Sequence, residues 1–205
     1  MAQVKLVKKR PFHIDSVPAP ANGIDFDHVQ QPLDVEIGCG VGLHPIQYAK
    51  AHPDRYLVAI EQTREKFAKF QRRFDHHDLP NLVPVHANAI SWVSHCLQCH
   101  TVDNFFFLYP NPHPKGKDFS KRWYAMPFME KVLACLKPDG RIHLATNAAF
   151  YAEEAKANFE QVWYLETLRF EKIQAGDIIP RTHFEKKYLA REQTCFDMIF
   201  RKVQA

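Results

Sequence analysis

Glycine is scarce in this chain of 205 residues, with seven in all, so the three at alternate positions, Gly38, Gly40 and Gly42, stand out. No run of about 18 apolar residues occurs, which argues against a membrane-spanning helix. The opening Met1-Ala2-Gln3-Val4-Lys5-Leu6 lacks the apolar core of a secretion signal, so a cytoplasmic location is the default expectation. The five cysteines (Cys39, Cys96, Cys99, Cys135 and Cys195) are an odd number. In a reducing compartment they read as free thiols rather than a disulfide framework. His95-Cys96-Leu97-Gln98-Cys99-His100 has no second Cys-x-x-Cys to complete a zinc site, so no metal is expected. The formal charge is only +4, too small a sum to name a nucleic-acid partner; its distribution says more.

What is present is organised around Leu33-Asp34-Val35-Glu36-Ile37-Gly38-Cys39-Gly40-Val41-Gly42. The first five residues read as an apolar strand, and a helical pattern begins at Leu43. Glycines between them let the backbone turn sharply and let a ligand lie against bare amides at a helix N-terminus. Glu61 closes the next apolar run, Tyr56-Leu57-Val58-Ala59-Ile60, where nucleotide-binding α/β folds place a carboxylate for ribose hydroxyls. A dinucleotide fingerprint needs glycine at position 43, which is leucine. Glu36, two residues before the first glycine, would repel a pyrophosphate but can position an ammonium group. S-adenosyl-L-methionine carries an amino group and a sulfonium and no phosphate, so E-x-G-x-G-x-G fits it better. Cys39, between two of the glycines, is read as a small buried filler rather than a nucleophile, because no base is marked beside it.

From Leu33 onward strands alternate with helices, which predicts a parallel sheet with crossover helices in one domain spanning 32–205. Strands are expected near 33–38, 56–61, 82–87, 102–109, 140–146, 162–170 and 194–201. Helices are expected near 43–52, 62–77, 90–99, 124–137 and 148–160. The last two strands have no long helix between them and are expected to pair antiparallel at one edge. Lys137-Pro138-Asp139-Gly140 reads as a turn. Residues 1–31 carry Lys5, Lys8, Lys9 and Arg10 ahead of Pro18-Ala19-Pro20-Ala21-Asn22-Gly23 and read as a basic arm over the domain.

The strand ending at Tyr109 runs into Pro110-Asn111-Pro112-His113-Pro114-Lys115, at the end where open α/β sheets bind ligands. Three prolines in five residues fix the direction of Asn111. The basic loop Lys115-Gly116-Lys117-Asp118-Phe119-Ser120-Lys121-Arg122-Trp123 follows. Its cations suit phosphates, and Phe119 and Trp123 suit stacking on bases.

These pieces in this order resemble the tRNA (guanine-N7-)-methyltransferase family, over about Leu33 to Val203. The markers are Glu36-Ile37-Gly38-Cys39-Gly40-Val41-Gly42, Ile60-Glu61, Asn88-Ala89, Tyr109 to Lys115 with Lys121-Arg122, His143-Leu144-Ala145-Thr146-Asn147 with Tyr151-Ala152-Glu153, and Pro180-Arg181-Thr182-His183-Phe184-Glu185. The resemblance implies a Rossmann-like class I methyltransferase with a mostly parallel seven-stranded sheet, helices on both faces and an antiparallel strand at one edge. It implies S-adenosyl-L-methionine held by Glu36, Gly38, Gly40, Gly42, Glu61, Asn88 and Ala89. Asn111 falls at the proposed catalytic position, and Lys115, Lys117, Lys121, Arg122, Asn147, Thr182, Phe184 and Glu185 at substrate-contacting ones. The implied partner is tRNA, met by a monomer or homodimer, with no membrane and no metal.

This chain has Asn88, Asn111 and Asn147 where the family usually has Asp, and His113 where it has Trp. Asn88 is expected to accept from the adenine amino group in place of a carboxylate. Two alternatives stay open: methylation of an exocyclic base amine, which Asn111-Pro112 resembles, and an RNA-binding homologue with weak catalysis.

Overall fold

The computed structural model describes residues 4–21, 23, 26 and 29–203. Residues 1–3, 22, 24, 25, 27 and 28 of the basic arm and residues 204–205 of the domain lie outside the described residues. Seven strands form one sheet: β1 (Leu33–Ile37), β2 (Tyr56–Glu61), β3 (Leu82–His86), β4 (Val102–Leu108), β5 (Leu136–Thr146), β6 (Leu165–Ile173) and β7 (Cys195–Lys202). Their order is β3-β2-β1-β4-β5-β7-β6. Strands β1 to β5 run parallel to one another, while β7 runs antiparallel to both β5 and β6. The chain leaves β1 toward β2 on one side and returns to β4 on the other. That reversal opens a crevice at the carboxyl ends of β1 and β4.

Among the described residues six α-helices cover the sheet: α1 (Leu43–Ala51), α2 (Arg64–Phe74), α3 (Ala89–Cys96), α4 (Met129–Cys135), α5 (Ala149–Gln161) and α6 (His183–Leu189). Side chains alternate between faces along each strand, and the core divides accordingly. Val35, Val58, Phe105 and Phe107 pack with Trp92 of α3, Val132 of α4 and Phe159 of α5. Leu57, Ala59 and Phe106 pack with Ile46 of α1, Phe70 of α2 and Leu189 of α6. The three consecutive phenylalanines of β4 thus serve both faces. Asp34, fully buried in β1, accepts two 2.6 Å bonds from Arg55, one of 2.8 Å from the Tyr48 hydroxyl and one of 2.7 Å from Asn104. A buried carboxylate so fully paired ties α1, β1, β2 and β4 together.

Several elements differ from the sequence expectation. The helix expected over 124–137 is interrupted: 3-10 turns at Gly116–Lys121 and Trp123–Ala125 come first, and α4 begins only after Pro127. Proline removes a donor and clashes with the preceding turn. The last stretch of the expected 162–170 strand is displaced to 165–173, because Trp163 is anchored by its indole N–H on the Tyr124 carbonyl at 2.8 Å. Lys137 to Gly140 is not a separate turn. It sits inside β5, where the pairing with β4 shifts register and Asp139 takes φ 61°. Helix α6 was not anticipated.

Residues 4–18 run along the α5, α4 and α3 face. The Val7 N–H donates to Asn158 Oδ1 at 2.7 Å, Phe12 N–H to Glu130 Oε2 at 3.0 Å, and the Ser91 hydroxyl to the Pro18 carbonyl at 2.6 Å. His95 Nε2 lies 2.8 Å from the Val17 carbonyl and helps hold the arm against α3.

Candidate active site

A cleft of about 770 Å³ opens at the carboxyl ends of β1, β2 and β4. It gathers Glu36, Gly38, Gly40, Glu61, Asn88, Ala89, Asn111, Lys121, Thr182 and Phe184 of the expected residues. Gly42, Lys115, Lys117, Arg122, Asn147 and Glu185 do not line it.

On one side the floor is the glycine turn. Gly38, Gly40 and Gly42 all take positive φ, at 78°, 63° and 80°. A Cβ on Gly38 or Gly40 would meet nothing within 4 Å, whereas one on Gly42 would lie 2.0 Å from Cδ2 of the buried Phe70. The amides of this turn are not bare, contrary to expectation. Gly38 and Cys39 donate to the Ile60 carbonyl at 2.8 and 3.1 Å, Gly40 to Glu61 Oε2 at 2.9 Å, and Gly42 to the Cys39 carbonyl at 3.2 Å. The fold consumes these donors because the turn must be closed onto β2. What it offers a ligand is smooth backbone and the acids beside it.

Glu61 is nearly buried, and its other oxygen accepts from Thr63 N–H at 2.7 Å. A carboxylate has about four lone-pair sites, so each Glu61 oxygen keeps acceptor capacity toward the cleft. Glu36 bonds His44 Nδ1 through Oε2 at 2.8 Å, and His44, absent from the sequence reading, also lines the cleft. Burial, then the charges of Glu36 and Glu61, push the Cys39 thiol well above its usual pKa. It is a filler, not a nucleophile.

Asn88 is the N-cap of α3. Its Oδ1 accepts from Ile90 N–H at 2.9 Å and Ser91 N–H at 3.2 Å. With both lone pairs engaged by the helix end, the expected acceptance from an adenine amino group is not available to this oxygen.

On the other side stands the proline-framed loop. Tyr109 and His113 both lie at positive φ, 55° and 46°, around Pro110, Asn111 and Pro112. Non-glycine residues hold that conformation only when the surroundings impose it. Two clamps do so. The Tyr109 hydroxyl donates to Glu185 Oε1 at 2.8 Å, and Glu185 also receives Arg181 N–H at 2.6 Å and Arg181 Nη2 at 2.7 Å. Arg181 continues to Asp197 at 2.8 Å, which Arg169 meets at 3.0 Å. Burial first, then its contacts with Cys195 and Glu185, raises the Tyr109 phenol far above its usual pKa, so it stays a donor. The second clamp is Arg122, whose Nε and Nη2 reach the His113 carbonyl at 3.2 and 2.9 Å while Nη1 bonds Glu154.

Four substrate-contact expectations are therefore corrected. Arg122 is 4% exposed with its donors spent on the loop and on Glu154, so it shapes the site instead of facing RNA. Glu185 is fully buried under Arg181 and Tyr109. Asn147 bonds Gln193 at 3.1 Å outside the cleft. Phe119, expected to stack on bases, is buried beneath Lys5, 4.3 Å away, and Arg122. Lys115 and Lys117 are exposed, and Lys121 pairs with Asp118 at 2.8 Å. Thr182 caps α6 by accepting Glu185 N–H at 3.0 Å, which leaves its hydroxyl proton to donate into the cleft. Trp123 and the exposed ring of Phe184 complete the apolar lining there.

Asn111 has a defined orientation. Its Oδ1 accepts from His113 N–H at 3.1 Å, which fixes the amide oxygen on the loop side. The two Nδ2 hydrogens are left for the cleft.

Comparison with known proteins follows this geometry. The chain is 29% identical over 170 residues to a tRNA (guanine-N(7)-)-methyltransferase of Thermotoga maritima, covering 83% of this chain but 54%, about half, of that protein. It is 28% identical to a protein of the same description from Nitrosomonas eutropha, covering 91% of this chain and 84% of the relative. In three dimensions it resembles the 16S rRNA methyltransferase KamB, with a TM-score of 0.66 at 14% identity over 89% of this chain and 95% of that one. A SAM-dependent methyltransferase from Aquifex aeolicus gives 0.59 at 14% identity, over 84% and 82% of the two chains. At such identities the structural likeness speaks for the fold alone. The profile of a family described as "putative methyltransferase" matches residues 30–198, which is most of the chain; by that match the protein belongs to the putative methyltransferase family.

Proposed function

We propose that this protein is an S-adenosyl-L-methionine-dependent tRNA methyltransferase acting on N7 of a guanine, in the variable loop by analogy with the family, and that it works in the cytoplasm as a monomer or homodimer. The names of the relatives support the reaction and substrate. Among the described residues no helix is long and apolar enough to cross a membrane. The cleft fits the cofactor: backbone free of side chains at Gly38 and Gly40, with two acids, Glu36 and Glu61, beside it. Glu61 has acceptor capacity for ribose hydroxyls, and Glu36 has a second oxygen for an ammonium group. When bound, the cofactor supplies an electrophilic methyl on a sulfonium.

The observation that carries the choice of N7 is the orientation of Asn111. Guanine presents two acceptors side by side on its major-groove edge, N7 and O6. Two amide N–H donors facing the cleft match O6 and leave the N7 lone pair open for in-line attack. N7 carries no proton, so no general base is required. An exocyclic amine would need acceptors at this point, and the Asn111 oxygen is committed to His113 N–H. Position 114, where stacking on such a target would call for an aromatic, is proline.

Asn111→Ala is expected to lower kcat by about tenfold, the worth of one hydrogen bond that positions the base, with cofactor affinity unchanged. Single-turnover kinetics and calorimetry measure the two effects. Glu61→Ala is expected to weaken binding of S-adenosylmethionine or its demethylated product by at least ~1 kcal/mol in calorimetry, because a ribose contact is left unmade. It also frees the Gly40 and Thr63 amides that shape the turn.

The reading itself is tested by single-turnover methylation of bulk tRNA with labelled cofactor, followed by nucleoside analysis. Label on 7-methylguanosine is the expected result. Label on an N6- or N2-methylated base would transfer the chemistry to an exocyclic amine, and tight tRNA binding without label would leave an RNA-binding homologue.

A further inference from the structure

Helix α2 carries Arg64, Lys66, Lys69, Arg72 and Arg73 against one acid, Glu65, all of them exposed. Phe67, Phe70 and Phe74 turn inward, and the helical period then puts Lys66, Lys69 and Arg73 in one row. Lys66 stands at the lip of the cleft. At the other end of the row Arg73 Nη1 reaches the Val41 carbonyl at 2.9 Å and His183 Nε2 at 2.7 Å. Both partners are neutral acceptors, so the charge of Arg73 is not compensated. Contact with His183 joins the row to α6, where Lys186 and Lys187 are exposed one turn further on. Burial, then Arg73 and Lys186, lowers the His183 pKa, which places both cations beside it. None of Lys66, Lys69, Arg73, Lys186 or Lys187 has an ion pair among the described residues, and neither has Glu65. Like charges three and four apart on a helix oppose its folding, so this row is not explained by stability.

Its position is informative. α2 and α6 pack on one face of the sheet, and the 115–125 segment packs on the other through Phe119 and Tyr124. The cleft lies between them at the sheet edge. We propose that Lys66, Lys69, Arg73, Lys186 and Lys187 form a phosphate-binding track for the RNA backbone, so that the substrate straddles the cleft, held by this track on one side and by Lys115 and Lys117 on the other. The proposal rests on the tRNA reading above and adds a second contact surface to it. Five cations on a row bordering the cleft suit a polyanion that must be drawn across its mouth.

The test is tRNA affinity of the full chain against salt concentration, for the wild type and for Lys69→Ala/Lys186→Ala/Lys187→Ala. Each phosphate contact contributes about 0.9 to the slope of log affinity on log salt. The triple variant is expected to lose about 2–3 from the slope and at least tenfold in affinity at about 0.15 M salt. Calorimetric affinity for S-adenosylhomocysteine, unchanged, serves as the control for folding. Unchanged slope and affinity in the triple variant, with binding still lost in Lys115→Ala/Lys117→Ala, would overturn the track and leave the tRNA reading standing. Wild-type protein that binds no tRNA would end both. Loss of binding to phosphatidylserine vesicles, with tRNA binding intact, would assign the row to a membrane surface and refute the proposal.

Discussion

Replacing Gly42 by alanine should destabilise the protein by about 2–5 kcal/mol and weaken the cofactor site along with it. The added methyl would lie 2.0 Å from the Phe70 ring, and φ would have to stay near 80°. Overpacking a tight core costs about 1–3 kcal/mol and a left-handed L-residue about 1–2 more. Phe70 cannot simply withdraw, because it is fully buried between α2 and the sheet. In a domain of this size the loss corresponds to a melting temperature lower by roughly 4–20 °C. A double-mutant cycle identifies the cause. Phe70→Leu alone should be destabilising, yet Gly42→Ala/Phe70→Leu should be better than the sum of the two changes by more than ~1 kcal/mol, since the second relieves the clash made by the first. Simple additivity would mean that φ strain, not the ring, is why this position is glycine.

Arg122→Ala should be equally severe, by a different route. Its guanidinium joins the His113 carbonyl to Glu154, and the Tyr124 hydroxyl shares that carboxylate at 2.5 Å. Removing one partner of a buried ion pair leaves the other charge uncompensated, typically at about 3–5 kcal/mol; the lower end applies here because Glu154 keeps 19% of its side chain exposed. The consequence for function is more telling. Without Arg122, His113 loses the clamp on its carbonyl that holds it at φ 46°, and the N–H that orients the amide of Asn111 is no longer fixed in place. The variant should bind cofactor like the wild type but turn over far more slowly. Arg122→Lys should not rescue turnover, because an ammonium cannot match the planar fork that serves both acceptors. An RNA-facing Arg122 would show the opposite pattern, with a reduced salt slope of tRNA binding and an unchanged melting temperature.

Where the sequence was legible, it was so because one interaction dominated locally. The alternation of apolar runs and helical periods located β1 to β5 and α1 to α5, and scarce glycines pointed to the turn. The antiparallel edge followed from the lack of a long helix between the last two strands. Helix α6 went unread because seven residues are too few for a period, and Pro180 to Glu185 drew attention as a motif instead. The signal was present: Thr182 and Glu185 stand at capping-box spacing. The side chains that control the acceptor loop were harder to find. Tyr109 meets Glu185 across 76 residues, Arg122 meets Glu154 across 32, and Arg181 meets Asp197 across the β7 edge. No local pattern encodes such pairings, so Arg122 and Glu185 read as substrate-contacting residues. Asn88 was misread for a related reason, since only the helix behind it reveals that its oxygen is already a cap.

The central claim is that the turn at Gly38–Gly42 cradles the methyl donor while Asn111 faces the acceptor. A crystal structure of the chain with S-adenosylhomocysteine tests it most directly. The account predicts ribose hydroxyls within hydrogen-bonding distance of Glu61, the amino group beside Glu36, and the sulfur directed toward Asn111. A product molecule seated elsewhere, or a cleft that closes without admitting it, would contradict the account.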